Sequence, residues 1–170
     1  HDGSGVDGAR FMAACIAAAY TASSLDEVLD TGLRFLPEKS DYRRVVETVR
    51  AYHRAHPAEA DFRACRAMIA REFREEAYPG GYHIVPNAGI CILAMLYGKG
   101  DLGRSIEISV MCGYDTDCNA SNIGTILGVL GGLDGVPERY RRPINDLVTL
   151  SSVSGYLNLV DLSDKAKELG

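Results

Sequence analysis

Basic runs are the plainest absence in this chain. Its densest arginine groups, Arg43-Arg44 and Arg139 to Arg142, are flanked by acids, and 18 Lys and Arg stand against 23 Asp and Glu, for a net charge of −5. A nucleic-acid-binding surface carries a basic stripe, so no nucleic-acid partner is expected. There is also no apolar run of about 18 residues, the length a membrane span needs, and no secretory signal, so no membrane partner is expected. The five cysteines, at 15, 65, 91, 112 and 118, include no Cys-x-x-Cys pair. Most lie in apolar helical patterns, which suits reduced thiols and a cytoplasmic location. The chain begins at His1 without a methionine, so a targeting segment could have been lost with whatever preceded it. Alternating strand patterns of useful length, linkers and internal repeats are missing too.

What is present is helical periodicity, in a chain of 170 residues, long enough for one domain with a real core. An alanine-rich segment from Val6 to Ala22 carries Phe11, Ile16 and Tyr20 in one stripe. Ser24-Leu25-Asp26-Glu27 has the form of a capping box and opens a second helix toward Phe35. Further helices are expected over Asp41–His53, Glu59–Arg74, Pro86–Tyr97, Asp101–Gly113, Asn119–Gly131, from Pro137 onward, and over Leu162–Leu169. The lone acids Asp26, Glu27 and Asp30 read as a solvated helix face. The fold class that follows is all-α, with many short antiparallel helices and residues 1–170 forming a single segment.

Gly113-Tyr114-Asp115-Thr116-Asp117-Cys118-Asn119-Ala120-Ser121-Asn122 is the most informative stretch. Two carboxylates one residue apart, at the mouth of an apolar helix, are costly unless something positive sits beside them. A hard divalent cation such as Mg²⁺ or Ca²⁺ suits carboxylate oxygen. Asp115-x-Asp117-x-Asn119 matches the start of a calcium EF-hand loop. That loop needs a glycine and then a bidentate glutamate where this chain has Ala120 and Ile126, so the EF-hand reading fails. A zinc site from Cys112, Cys118 and His83 lacks supporting spacing. The plain alternative is that the two aspartates only cap a helix, whose positive end could otherwise attract a phosphate.

The helix that follows has no charge from Ala120 to Leu133 and repeats glycine at 124, 128, 131 and 132. Mid-helix glycine costs about 1 kcal/mol against alanine. Close approach of a neighbouring helix is the expected reason, which would make this the central helix of the fold. A membrane dimerisation motif is rejected, because fourteen residues do not span a bilayer.

The acidic stretch resembles the signature of the ADP-ribosylglycohydrolase family, relatives of the dinitrogenase-reductase-activating hydrolase. In that signature a glycine and any residue precede Asp-Thr-Asp-Thr and a small-residue helix. His83-Ile84-Val85-Pro86-Asn87-Ala88, the helix up to Tyr97-Gly98, Arg142-Pro143-Ile144-Asn145-Asp146 and the opening His1-Asp2-Gly3 to Gly8-Ala9 are similar to the family as well. The resemblance implies an all-α domain of which these residues form the C-terminal portion. It also implies two Mg²⁺ ions beside ADP-ribose and hydrolysis of an ADP-ribosyl glycosidic bond. Carried over by position, Asp115 and Asp117 are metal ligands, and Cys118 stands where the family places a threonine ligand. Tyr114 and His1 are the candidates for substrate contact, Tyr114 being equally readable as packing. Thr116 is expected to satisfy the helix start, and His83 and Asn87 to give structural support.

The family's other metal ligands come from a Thr-Asp-Asp cluster, and none occurs in these residues. The general acid or base is therefore not assignable, and the isolated segment is expected to be inactive until a missing N-terminal half, upstream or on a separate chain, completes the site. Three readings follow from the sequence. One is a magnesium-dependent ADP-ribosyl hydrolase as part of a longer enzyme. The others are an ADP-ribose-binding module without catalysis and a structural helical domain.

Overall fold

The computed structural model describes residues 3–151, 153 and 155–169. They fall into two compact units, up to Gly135 and from Val136 on. The first is all helical. Its helices are α1 (Gly3–Ala19), α2 (Leu25–Arg34), α3 (Asp41–Ala55), α4 (Phe62–Glu72), α5 (Ile84–Tyr97), α6 (Leu102–Cys112) and α7 (Thr116–Gly135), with one 3₁₀ turn at Glu59–Asp61.

Side chains set the helix starts. Ser24 accepts from the Glu27 N–H at 3.2 Å, as a capping box requires, while the Glu27 carboxylate takes the Ser23 N–H at 2.9 Å, one residue earlier than the usual reciprocal bond. Ser40 caps α3 and donates to Asp7 at 2.6 Å, fastening α3 to α1. Asp101 caps α6 through the Arg104 N–H at 2.7 Å. Asp26 and Asp30 do not simply face solvent: both pair with Arg50, at 3.0 and 2.6 Å, and tie α2 to α3. Their own exposure keeps such pairs weak, about 1 kcal/mol or less each.

The centre of this unit is α5, not α7. Every residue from Val85 to Met95 is buried, because Ile-Val-Pro-Asn-Ala-Gly-Ile-Cys-Ile-Leu-Ala-Met is apolar on all sides. It packs against α1, α3, α4, α6 and α7. The close approach sought in α7 is found here at Gly89, where a Cβ would meet Val45 Cγ2 at 2.9 Å. By contrast α7 buries only Asn119, Ile123, Ile126 and Leu127, one stripe at helical spacing. Among the described residues a Cβ on Gly124 would touch only Ile106 at 3.8 Å, and one on Gly131 would meet nothing within 4 Å. Those glycines therefore thin an outer face, and Gly132, with φ of +60°, kinks the helix near its end.

The second unit contains α8 (Glu138–Ile144), strands β1 (Leu147–Thr149) and β2 (Leu159–Asp161), and α9 (Leu162–Leu169). The strands pair antiparallel with Val148 opposite Val160. Strands of three residues are too short to show alternation, so the ribbon escapes a periodicity reading. Among the described residues no helix is long and apolar enough to cross a membrane.

Candidate metal centre

Gly113 ends α6 with φ of +75°, and Tyr114 follows at +62°. Two successive left-handed residues reverse the chain so sharply that α7 starts at Thr116. A tyrosine in this region is strained, by on the order of 1–2 kcal/mol. Arg66 of α4 holds the turn from outside. Its Nε donates to the Cys112 carbonyl at 3.1 Å, and its guanidinium lies 4.9 Å from the centre of the Tyr114 ring. Tyr114 is half-buried under that cation, so part of its ring is engaged in packing.

Asn87 holds the turn from inside. It is 4% exposed. Its Oδ1 accepts from the Asp115 N–H at 3.0 Å and from Asn119 Nδ2 at 2.8 Å. Its Nδ2 donates to the carbonyls of Gly81 and His83 at 2.8 and 2.9 Å. Both donors and both lone pairs of the amide are thus used. Asn119 is itself buried, and its Oδ1 lies 3.4 Å from Cys91 Sγ. The residues at both ends of the acidic turn, 115 and 119, are pinned to α5. His83 caps α5 by accepting the Val85 N–H at 3.2 Å, the supporting role expected of it.

This frame brings one ligand atom each from Asp115, Asp117 and Cys118 to within 4.8 Å of one another. Asp115 is half-buried, and the other two are exposed at the start of α7. Cys112 and His83 lie outside the group, so the zinc set considered from the sequence is not assembled. Hydrogen bonding with Asp115, then with the N–H groups of Asp117 and Cys118, holds the Asp117 carboxyl below its ordinary range. The helix start therefore does support Asp117, as a capping role would require. Hydrogen bonding with Asp115, then its charge, raises the Cys118 thiol. Among the described residues the ion pairs include neither Asp115 nor Asp117.

The donor set decides what could sit there. Two carboxylates fit a divalent cation, and the oxygens alone would suit Mg²⁺; the sulfur does not. His1 lies outside the described residues. Arg66 was invisible to sequence reading, since nothing in α4 marks one arginine as the partner of a turn 46 residues away.

No curated protein and no solved structure matches the chain. A family model described as ADP-ribosylglycohydrolase matches residues 1–168, a span that takes in α1 through α7 and the acidic turn. The sequence signature and this match agree, and the chain belongs to the ADP-ribosylglycohydrolase family.

Proposed function

We propose that this chain supplies one wall of a site that hydrolyses an ADP-ribosyl glycosidic bond with the help of a divalent cation. Membership of the family points to glycosidic hydrolysis in general. The observation that carries the finer reading is the convergence of the Asp115, Asp117 and Cys118 ligand atoms within 4.8 Å at the start of α7.

In this reading Asp115 and Asp117 hold the cation, and Asn87 fixes the main chain that aims Asp115. A bound cation supplies positive charge that orients ribose hydroxyls and polarises water. Tyr114, on the rim of the turn, flanks the sugar. A second ion, and the group that moves the proton, need ligands of the Thr-Asp-Asp kind, which these 170 residues do not contain. A further segment or a partner chain completes the site.

The test is ADP-ribose release from an ADP-ribosylated substrate, with calorimetric titration of ADP-ribose and a divalent salt alongside. The isolated chain is expected to show little turnover. Robust release by the chain alone would contradict the incomplete site. A second reading, an ADP-ribose binder without catalysis, is favoured by Cys118 in a ligand position the family gives to threonine. Binding without turnover in the complete protein would select it. No binding of either ligand would leave the structural-domain reading.

A further inference from the structure

The third donor of the acidic turn is sulfur, and this bears on which cation the turn accepts. The inference rests on the reading of Asp115 and Asp117 as ligands. Cys118 is an exposed, free thiol in the first turn of α7. It lies on a shallow depression that it lines with Asp117, Ser121 and Asn122. The turn that carries all three donors is fixed at residues 115 and 119 by the Asn87 amide. One donor atom from each of Asp115, Asp117 and Cys118 lies within 4.8 Å of the other two. Mg²⁺ demands hard oxygen in near-ideal octahedral geometry and gives up water reluctantly. A thiolate beside two carboxylates suits a borderline cation that accepts both sulfur and oxygen, Zn²⁺ foremost.

We propose that the cation position at the start of α7 takes a sulfur-accepting divalent ion of the Zn²⁺ class in preference to Mg²⁺, with Cys118 as the third protein ligand beside Asp115 and Asp117. The family signature, with threonine at this position, offers oxygen alone. In this proposal cysteine in place of the signature's threonine shifts the class of metal the site takes.

Tighter Zn²⁺ than Mg²⁺ binding is not diagnostic alone, because most protein sites rank metals that way. The experiment is therefore a titration of the chain with Zn²⁺, Mg²⁺ and Co²⁺, in the native sequence and in Cys118→Ser and Asp117→Asn. The Co²⁺ complex of the native chain is expected to show near-ultraviolet sulfur-to-cobalt charge transfer, absent in Cys118→Ser. That substitution is expected to weaken Zn²⁺ by about tenfold or more while leaving Mg²⁺ within about twofold. Circular dichroism checks that the exposed substitution leaves the fold intact. A Co²⁺ complex without the sulfur band, or Zn²⁺ affinity within about twofold in Cys118→Ser, overturns the proposal. If Asp117→Asn still abolishes binding in that case, the ligand assignment survives and only the metal class is wrong. If no ion binds the native chain, or Asp117→Asn has no effect, the parent reading fails and takes this one with it.

Discussion

Replacing Asn87 tests how the acidic turn is held. The side chain is 4% exposed and makes four hydrogen bonds between 2.8 and 3.0 Å, two on each side of the amide. Asn87→Ala removes all four partners at once. Each buried polar group left unsatisfied costs roughly 1–3 kcal/mol. The Gly81 carbonyl lies in an exposed turn where water can replace the lost donor, so the sum is smaller than four full penalties. A loss of about 2–4 kcal/mol is expected, a large share of the 5–15 kcal/mol typical of a domain. Asn87→Asp is the sharper variant. It keeps an oxygen for the Asp115 N–H and for Asn119, but turns a second oxygen toward two carbonyls. An ionised carboxylate there is disfavoured, so its folded pKa is raised above the unfolded value of about 3.9. The folded variant then holds a proton that the unfolded chain releases. Its deficit relative to the native chain is therefore small below about pH 4 and grows as the pH rises toward 7. Urea unfolding followed by circular dichroism, across that pH range, measures both effects. A deficit under about 1 kcal/mol for Asn87→Ala, or one for Asn87→Asp that shrinks with rising pH, would refute the clamp.

Thiol chemistry gives two further predictions. Of the five cysteines only Cys118 is exposed, so iodoacetamide should label one thiol of the native chain. Because Asp115 raises that thiol, Asp115→Asn should speed its alkylation at pH 8, and slower labelling would contradict the assigned cause. Burial pushes Cys15, Cys65 and Cys91 up to about 12 and Cys112 up to about 11. Their folded values exceed the unfolded one near 8.5, so stability is full below that pH and falls above it, by roughly 1.4 kcal/mol per pH unit for each thiol. Denaturant midpoints that stay flat from pH 8 to pH 10 would contradict the burial. Finally, the Ser109 hydroxyl is buried without a hydrogen-bond partner among the described residues. Ser109→Ala should be neutral or stabilise by up to about 1 kcal/mol, as thermal melting would show.

Sequence reading went furthest where a local rule governs. Ser24, Asp101 and Gly113 mark helix ends because a side-chain oxygen or a left-handed residue is needed at the terminus itself. Ranking the helices by centrality required counting apolar faces, not glycines. The glycine pattern drew attention to α7, while the evenly apolar stretch in α5 is what the other helices surround. The paired aspartates were legible because their spacing is local. The clamp that makes them a cluster was only half legible. His83 and Asn87 signal a helix start, but the hydrogen bonds from Asn87 to Asp115 and Asn119 and the grip of Arg66 on Tyr114 join distant segments. No periodicity encodes such pairings.

The central claim is that Asp115 and Asp117 hold a metal ion. Crystals of the chain grown with Mn²⁺, with data collected above the manganese absorption edge, test it most directly. The account predicts an anomalous peak at the start of α7, with a carboxylate oxygen from each aspartate about 2.2 Å away. Carboxylates bonded only to water and to the N–H groups of Asp117 and Cys118, with no peak between them, would contradict it.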